Sequence, residues 1–232
     1  MSYPYLEYRY QRTKRHFLYS IYLQKTYHYL PYSFSHFLQF QEETPVGPND
    51  HPIQYSYTFS YFVRPTGKFD PEDYANYVQP VGIMKSVEQF WSIMVHFKRP
   101  TDLCDKADIH FFKTGIKPVW EDPANCKGGK WIIRLKKGLS ARIWENLLMA
   151  IVGEQFLIGD ELCGAVCSIR NQEDIISLWN RNADETPVTN RIRDTLRSVL
   201  ELPQNTVLEY KRHDDCLRDQ SSYRHTTKNI CK

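Results

Sequence analysis

At 232 residues, with 41% hydrophobic and 14% aromatic side chains, the chain has enough apolar material for one domain of about 180 residues plus an appendage, which excludes global disorder. Net charge is +3, and residues 51–232 hold 25 Lys and Arg against 23 Asp and Glu, so bulk counterion release cannot hold a long nucleic acid and any such ligand must be gripped locally. Cys104, Cys126, Cys163, Cys167, Cys216 and Cys231 form no CxxC pair, which argues against a zinc module or a disulfide framework and for free thiols in a reducing, cytoplasmic setting.

Residues 1–50 read as a poorly ordered, Tyr-rich extension and linker. Nine tyrosines, from Tyr3 to Tyr32, crowd a stretch with one acid before Glu42 and no sustained helical or strand period. Its longest uncharged run is too short and polar to span a bilayer, and no basic region, apolar core and cleavage site suggest a secretory signal. Glu42–Asn49, with two prolines and a glycine, reads as the linker.

The folded part begins with IQYSYTFSYFV, where Ile53, Tyr55, Tyr57, Phe59 and Tyr61 alternate with smaller or polar residues as in a strand with one apolar face. Residues 70–78 suggest a loop or short helical turn, and 81–84 a short strand. Ser86 followed by Gln89 is a capping box, opening a helix with Val87, Phe90, Trp91, Met94 and Phe97 on its apolar side and a limit before Pro100. Residues 108–113 and 130–136 read as strands. Between them, Trp120 is followed at once by Glu121 and Asp122, then by a Gly128-Gly129 turn. Such a loop is open to two readings: a core Trp flanked by solvated acids, or a flat π-face beside a carboxylate, suited to a purine that carries positive charge.

Ser140 is expected to cap a second helix, with Ile143, Trp144, Leu147, Leu148, Ile151 and Val152 on one face. Strands at 163–170 and 174–181 form a hairpin across a short polar turn. Thr186 is expected to cap a third helix, with Pro187 at its first position, and residues 206–212 form a last strand, after which 213–232 reads as a polar tail. No Gly-rich strand-to-helix turn appears. The order predicts an α+β fold: a curved antiparallel sheet with helices on one face.

Several segments, in order and spacing from about His51 to Lys211, resemble the initiation factor 4E superfamily of mRNA cap-binding proteins. They are HPIQYSYTF, SVEQFW, FFKTGIKPVWEDPANCKGGKWIIRL, WENLLMAIVGEQF and CGAVCSIR. The sequence looks most like the 4E-homologous-protein class, which includes the plant novel cap-binding protein: the family's first stacking Trp falls on Tyr74, and a second family Trp falls on Ser60. The resemblance implies a cap-binding domain over 51–212, helices on the convex face of the sheet and a cap slot on the concave side. It assigns Tyr74 and Trp120 as the rings around 7-methylguanine, Glu121 as acceptor for the base's N–H donors, and Trp179 beside the methyl group. Lys130, Arg170 and Arg218 would meet the phosphates; a further phosphate-side lysine falls on Ile175. A partner face is implied at His51, Pro52, Val87, Trp91, Trp144, Glu145 and Met149, for scaffold or repressor proteins that carry a Tyr-x-x-x-x-Leu-Φ helix. By spacing alone, Val87 and Trp91 read as core.

The resemblance implies a monomeric, non-enzymatic binder of capped mRNA that regulates translation of selected messages, with no cofactor and no membrane association. An initiation factor recruiting the scaffold to a subset of mRNAs is the alternative. His96, His110, His213 and His225, with Asp108, Asp122 and Asp174, form no metal spacing, nucleophile elbow or phosphate loop. A platform for cationic guanine should also be weaker with Tyr74 than with Trp, so Tyr74→Trp is expected to tighten binding.

Overall fold

The computed structural model describes residues 44–229, except 66, 68, 71, 72 and 105. The Tyr-rich extension up to residue 43, and Cys231, lie outside the described residues. The elements run β1 (Pro52–Val63), α1 (Tyr74–Tyr77), β2 (Gln79–Ser86), α2 (Val87–Met94), β3 (Ala107–Lys113), β4 (Gly129–Lys136), α3 (Ser140–Val152), β5 (Leu162–Ile169), β6 (Glu173–Asn180), α4 (Thr186–Val199), β7 (Leu208–Arg212), α5 (His213–Asp219) and β8 (Thr227–Asn229). One eight-stranded sheet, ordered β2-β1-β3-β5-β6-β4-β7-β8, joins all the strands through antiparallel pairs. Register shifts in the β1/β2 and β5/β6 pairs bend this curved, open sheet.

Strand periodicity sorts the side chains onto two faces. Tyr57 and Phe59 of β1, Ile109 and Phe111 of β3, Trp131 and Ile133 of β4, and Ile176 and Leu178 of β6 join the main apolar core. Helices supply Phe90, Ile93, Trp144, Leu147, Leu148, Ile151, Ile192 and Leu196 to that core, so α2, α3 and α4 cover this convex side. The alternate strand residues face the concave side, where Phe112, Cys163, Val166 and Trp179 form a smaller cluster with Ile116 and Trp120 packed at its edge. The shift between Leu162 and Gly164 breaks that period in β5, so Cys163 and Ala165, two positions apart, reach apolar clusters on opposite faces.

The Ser86 cap forms, with its hydroxyl oxygen accepting from Gln89 N at 3.1 Å. The Gln89 carboxamide reaches back to Lys85 N instead of Ser86 N, at 2.7 Å, and α2 is shorter than expected, ending at Met94. The expected Ser140 cap is corrected. Ser140 is already inside α3, and its hydroxyl donates to the buried Asp174 carboxylate at 2.7 Å, so it ties the helix to β6 and leaves the helix N-terminus without a side-chain cap. Thr186 likewise lies within α4. The segment expected as a tail forms α5 and β8, and β8 pairs with β7. Among the described residues, no helix is long and apolar enough to cross a membrane, no group of His, Cys, Asp or Glu could hold a metal ion, and five cysteines are free thiols.

Candidate functional site

The loop from β3 to β4 is held by its own polar side chains. Asp122 accepts from Lys117 N at 2.9 Å and Ala124 N at 2.8 Å, while the buried Asn125 amide donates to the Lys117 and Val119 carbonyls, each at 2.8 Å. Gly128 is required where the loop re-enters the sheet, because a Cβ there would lie 1.9 Å from Asn180 O. The two consecutive acids therefore have different work. Asp122 is spent on closing the loop, and Glu121 is exposed on the wall of a concave-side cavity of about 780 Å³.

Trp120, half-buried, stands on the same wall, and Trp179 forms part of the floor. Trp179 is nearly inaccessible, edge-on to Phe112 at 5.3 Å, with its indole N–H donating to Ser177 Oγ at 3.1 Å. Tyr74 comes from α1 and also lines the cavity; its ring packs on Phe62 at 4.4 Å between centroids. The short helix thus brings a ring encoded 46 positions away to the cavity that Trp120 lines.

Lys130 closes one end. Its side chain is 1% exposed, and Nζ donates to Ser222 Oγ at 3.2 Å and lies 5.1–5.4 Å from the ring centroids of Trp120, Trp179 and Tyr223. Burial pushes its ammonium down to about 8, against the pull of Cys216 and with repulsion from Lys211. The rings around it supply cation–π attraction that favours the charged form. Arg170 lies near the same end with its guanidinium already engaged: Nη1 donates to Ile169 O at 2.9 Å and Ala107 O at 3.2 Å, and Nη2 is 2.8 Å from Asp108 Oδ1.

The structure thus brings Tyr74, Trp120, Glu121, Lys130, Arg170 and Trp179 to one cavity. Arg218 is not among its lining residues. It is exposed on α5 and paired with Asp215 one turn back, and it is Gln220, Ser222 and Tyr223 from the following segment that reach the cavity. Ile175 is buried in β6. Asp108, which lines the cavity, His110, which lies outside the lining but meets the Tyr74 hydroxyl at 2.8 Å, and Tyr223, also in the lining, were missed by sequence reasoning. For the first two a signal existed: in DIHFF two polar residues alternate with apolar ones on a strand, which aims them at the face opposite the core.

On the convex side, His51 is exposed and bound to α2: its N–H and Nδ1 each lie 2.8 Å from a Glu88 carboxylate oxygen, and His51 O accepts from Val87 N at 2.9 Å. Pro52 is exposed, Val87 and Trp91 are half-buried, and Met149 is 37% exposed. Glu145 is half-buried on α3, and burial raises its carboxyl despite the lowering effect of Arg99. Trp144 is the correction here. It is 2% exposed within the main core, so its ring has no surface to offer a partner.

A curved antiparallel sheet with helices behind it and an aromatic slot in front is the architecture of the initiation factor 4E proteins. The Eukaryotic initiation factor 4E family model matches residues 52–228, and the chain belongs to that family. It is 91% identical over 191 residues to Eukaryotic translation initiation factor 4E-4 of Caenorhabditis elegans, covering 82% of this chain and 90% of that protein. It is 48% identical over 177 residues to Eukaryotic translation initiation factor NCBP of Arabidopsis thaliana, covering 76% and 80%. Among solved structures, C. elegans eIF4E-3 in complex with the 4E-binding protein Mextli and a cap analog superposes with a TM-score of 0.69 at 35% identity, covering 77% of this chain and 99% of that one. Ascaris suum eIF4E-3 with the m2,2,7G cap gives 0.68 at 33%, covering 78% and 97%.

Proposed function

We propose that this chain binds the 7-methylguanosine cap of mRNA in the concave slot, without turnover, and regulates translation of selected messages in the cytoplasm. The observation that carries this reading is the Glu121 carboxylate, which has no hydrogen-bond or ion-pair partner among the described residues and stands next to Trp120 in a cavity also lined by Tyr74. Methylation at N7 makes guanine cationic, so stacking on each ring gains about 0.5–2 kcal/mol and the donors facing Glu121 are strengthened. The relatives solved with a cap analog and with the m2,2,7G cap support the same reading. Titration with 7-methyl-GTP and GTP tests it. Binding of the methylated nucleotide should be at least about tenfold tighter, a difference of about 1.4 kcal/mol, with both nucleotides unchanged after incubation. Equal affinities would sink the cap reading, and hydrolysis would sink the non-enzymatic one.

The half-exposed Val87–Trp91 face, with Met149 beyond it, suits a helical peptide of the Tyr-x-x-x-x-Leu-Φ type, and the relative solved with the 4E-binding protein Mextli supports a partner of this kind. Competition with the main cap-binding initiation factor is the regulatory mode we favour. Recruitment of the initiation scaffold to a subset of mRNAs is the second reading, supported by the C. elegans and A. thaliana relatives, both named as translation initiation factors. Capture on immobilised cap analogue separates them: repressor or decay proteins retained through Trp91 favour the first, the large scaffold the second.

A further inference from the structure

We infer that His110 is a positioning residue of the slot: with Ser60 and Asp108 it fixes the hydroxyl of Tyr74, and Asp108 joins that hydroxyl to Arg170, so the stacking ring and the phosphate-side cation move as one unit. The inference rests on the cap-binding reading for its ligand but not for its geometry. His110 is fully buried on β3, in register with Ser60 of β1, and its Nδ1 lies 3.2 Å from Ser60 Oγ. Its Nε2 lies 2.8 Å from the Tyr74 hydroxyl, which donates to Asp108 Oδ2 at 3.2 Å. Arg170 Nη2 sits 2.8 Å from the other Asp108 oxygen, as an ion pair angled outside hydrogen-bond geometry.

The donors and acceptors can be ordered. An ionised carboxylate only accepts, so the single phenolic proton points at Asp108. The Tyr74 oxygen must then accept from His110 Nε2–H, which leaves Nδ1 to accept from the Ser60 hydroxyl. Burial holds His110 down to about 4, so the imidazole is neutral at pH 7, as this order demands. The hydroxyl thus has a place that neither Phe nor Trp can fill. This reverses the expectation that Tyr74→Trp tightens binding: an indole would leave both His110 and Asp108 facing a group without the right atoms.

Three variants and two readouts test the inference. With 7-methyl-GTP, Tyr74→Phe, which keeps the ring, should lose about tenfold, and Ser60→Ala, which touches no ligand, about threefold. Arg170→Lys should weaken 7-methylguanosine, which has no phosphate, by about threefold, because the arginine also acts through Asp108 on the ring. Imidazole nitrogen NMR of the free protein should show His110 protonated at Nε2 and neutral through pH 5. Wild-type affinity in Tyr74→Phe and Ser60→Ala, or an Arg170→Lys effect confined to 7-methyl-GTP, would overturn the coupling. An Nδ1-protonated ring, or titration near pH 6.5, would overturn the network itself without any ligand. Failure of wild type to prefer 7-methyl-GTP over GTP would instead strike the cap reading, and the NMR result would still decide the network.

Discussion

On the helix-covered face of the sheet, Phe59, Phe111, Trp131, Ile133 and Leu178 meet carbon from Phe90, Trp144, Leu147 and Leu196. The same sheet sends Asp108, His110, Lys130, Ser168 and Ser177 to the slot face, at almost equal burial. One side is stabilised by apolar area; the other sets a small apolar cluster among polar groups that each need a partner. A buried polar group is costly unless satisfied, so a surface that buries this many is built for orientation. Losses on the two sides should differ in kind: volume matters behind the sheet, while atom identity matters in front.

The largest effects should follow from the slot. Glu121→Ala leaves the base's donors without an acceptor, and Trp120→Ala removes a ring, so each should cut 7-methyl-GTP affinity by more than about tenfold. Melting temperature should hardly move, since Glu121 is exposed and Asp122 keeps the loop closed. A collapse of stability in both variants would make these residues structural. Behind the sheet the pattern should invert. Trp144→Ala opens a cavity in the core and should cost about 3–5 kcal/mol of stability, measured by denaturant unfolding. Val87 and Trp91 offer a contrast on the same face: Trp91→Ala should cost much less stability, yet abolish capture of Tyr-x-x-x-x-Leu-Φ proteins.

Trp144 also shows how sequence reasoning can mislead itself. Its spacing to Leu147, Leu148 and Ile151 marks a core position by helical period, and it is core; only the resemblance moved it to the partner face. Period-2 and capping signals located β1 and α2 because their patterns are local. The chain beyond Arg212 has no such pattern. It is ordered by partners on the strands: Lys211 Nζ of β7 bonds Asp219 Oδ2 at 2.6 Å, Arg134 Nη2 of β4 donates to Tyr223 O at 3.0 Å, and Ser168 Oγ of β5 meets Tyr223 OH at 2.8 Å. With no period to set the register, Arg218 could not be distinguished from the residues that reach the slot.

Acid should distinguish the two faces more gently. His110 and His213 are buried, with burial the main cause that pushes them down to about 4 and about 3, and His213 Nδ1 pairs with Asn125 O at 2.8 Å. Above the unfolded value of 6.5 both states are neutral and their contribution is constant. Below it the unfolded chain binds protons that the folded chain refuses, so stability falls from pH 6.5 toward 4 and, for His213, toward 3. Thermal unfolding across that window should be shallower in His213→Gln, whatever its absolute stability. An unchanged slope would mean that His213 is protonated in the fold.

The smallest effect should come from the N-terminus, and where the cut falls should matter. Every candidate slot residue lies between Phe69 and Tyr223, so removal of residues 1–43 should leave 7-methyl-GTP affinity and melting temperature unchanged. Removal of residues 1–50 takes more. Gln89 Nε2 donates to Thr44 Oγ1 at 3.1 Å and Pro45 O at 3.2 Å, and Asp50 accepts from both Gly47 N at 3.0 Å and the capping Ser86 hydroxyl at 3.3 Å. These bonds secure the start of α2 on the convex side, and caps of this kind are worth about 1 kcal/mol. The longer deletion should therefore lower melting temperature by a few degrees and loosen the Val87–Trp91 face, while the slot keeps its ligand. Lost cap affinity in either deletion would mean that the extension reaches the concave side. Equal stability of the two would mean that residues 44–50 do not brace α2.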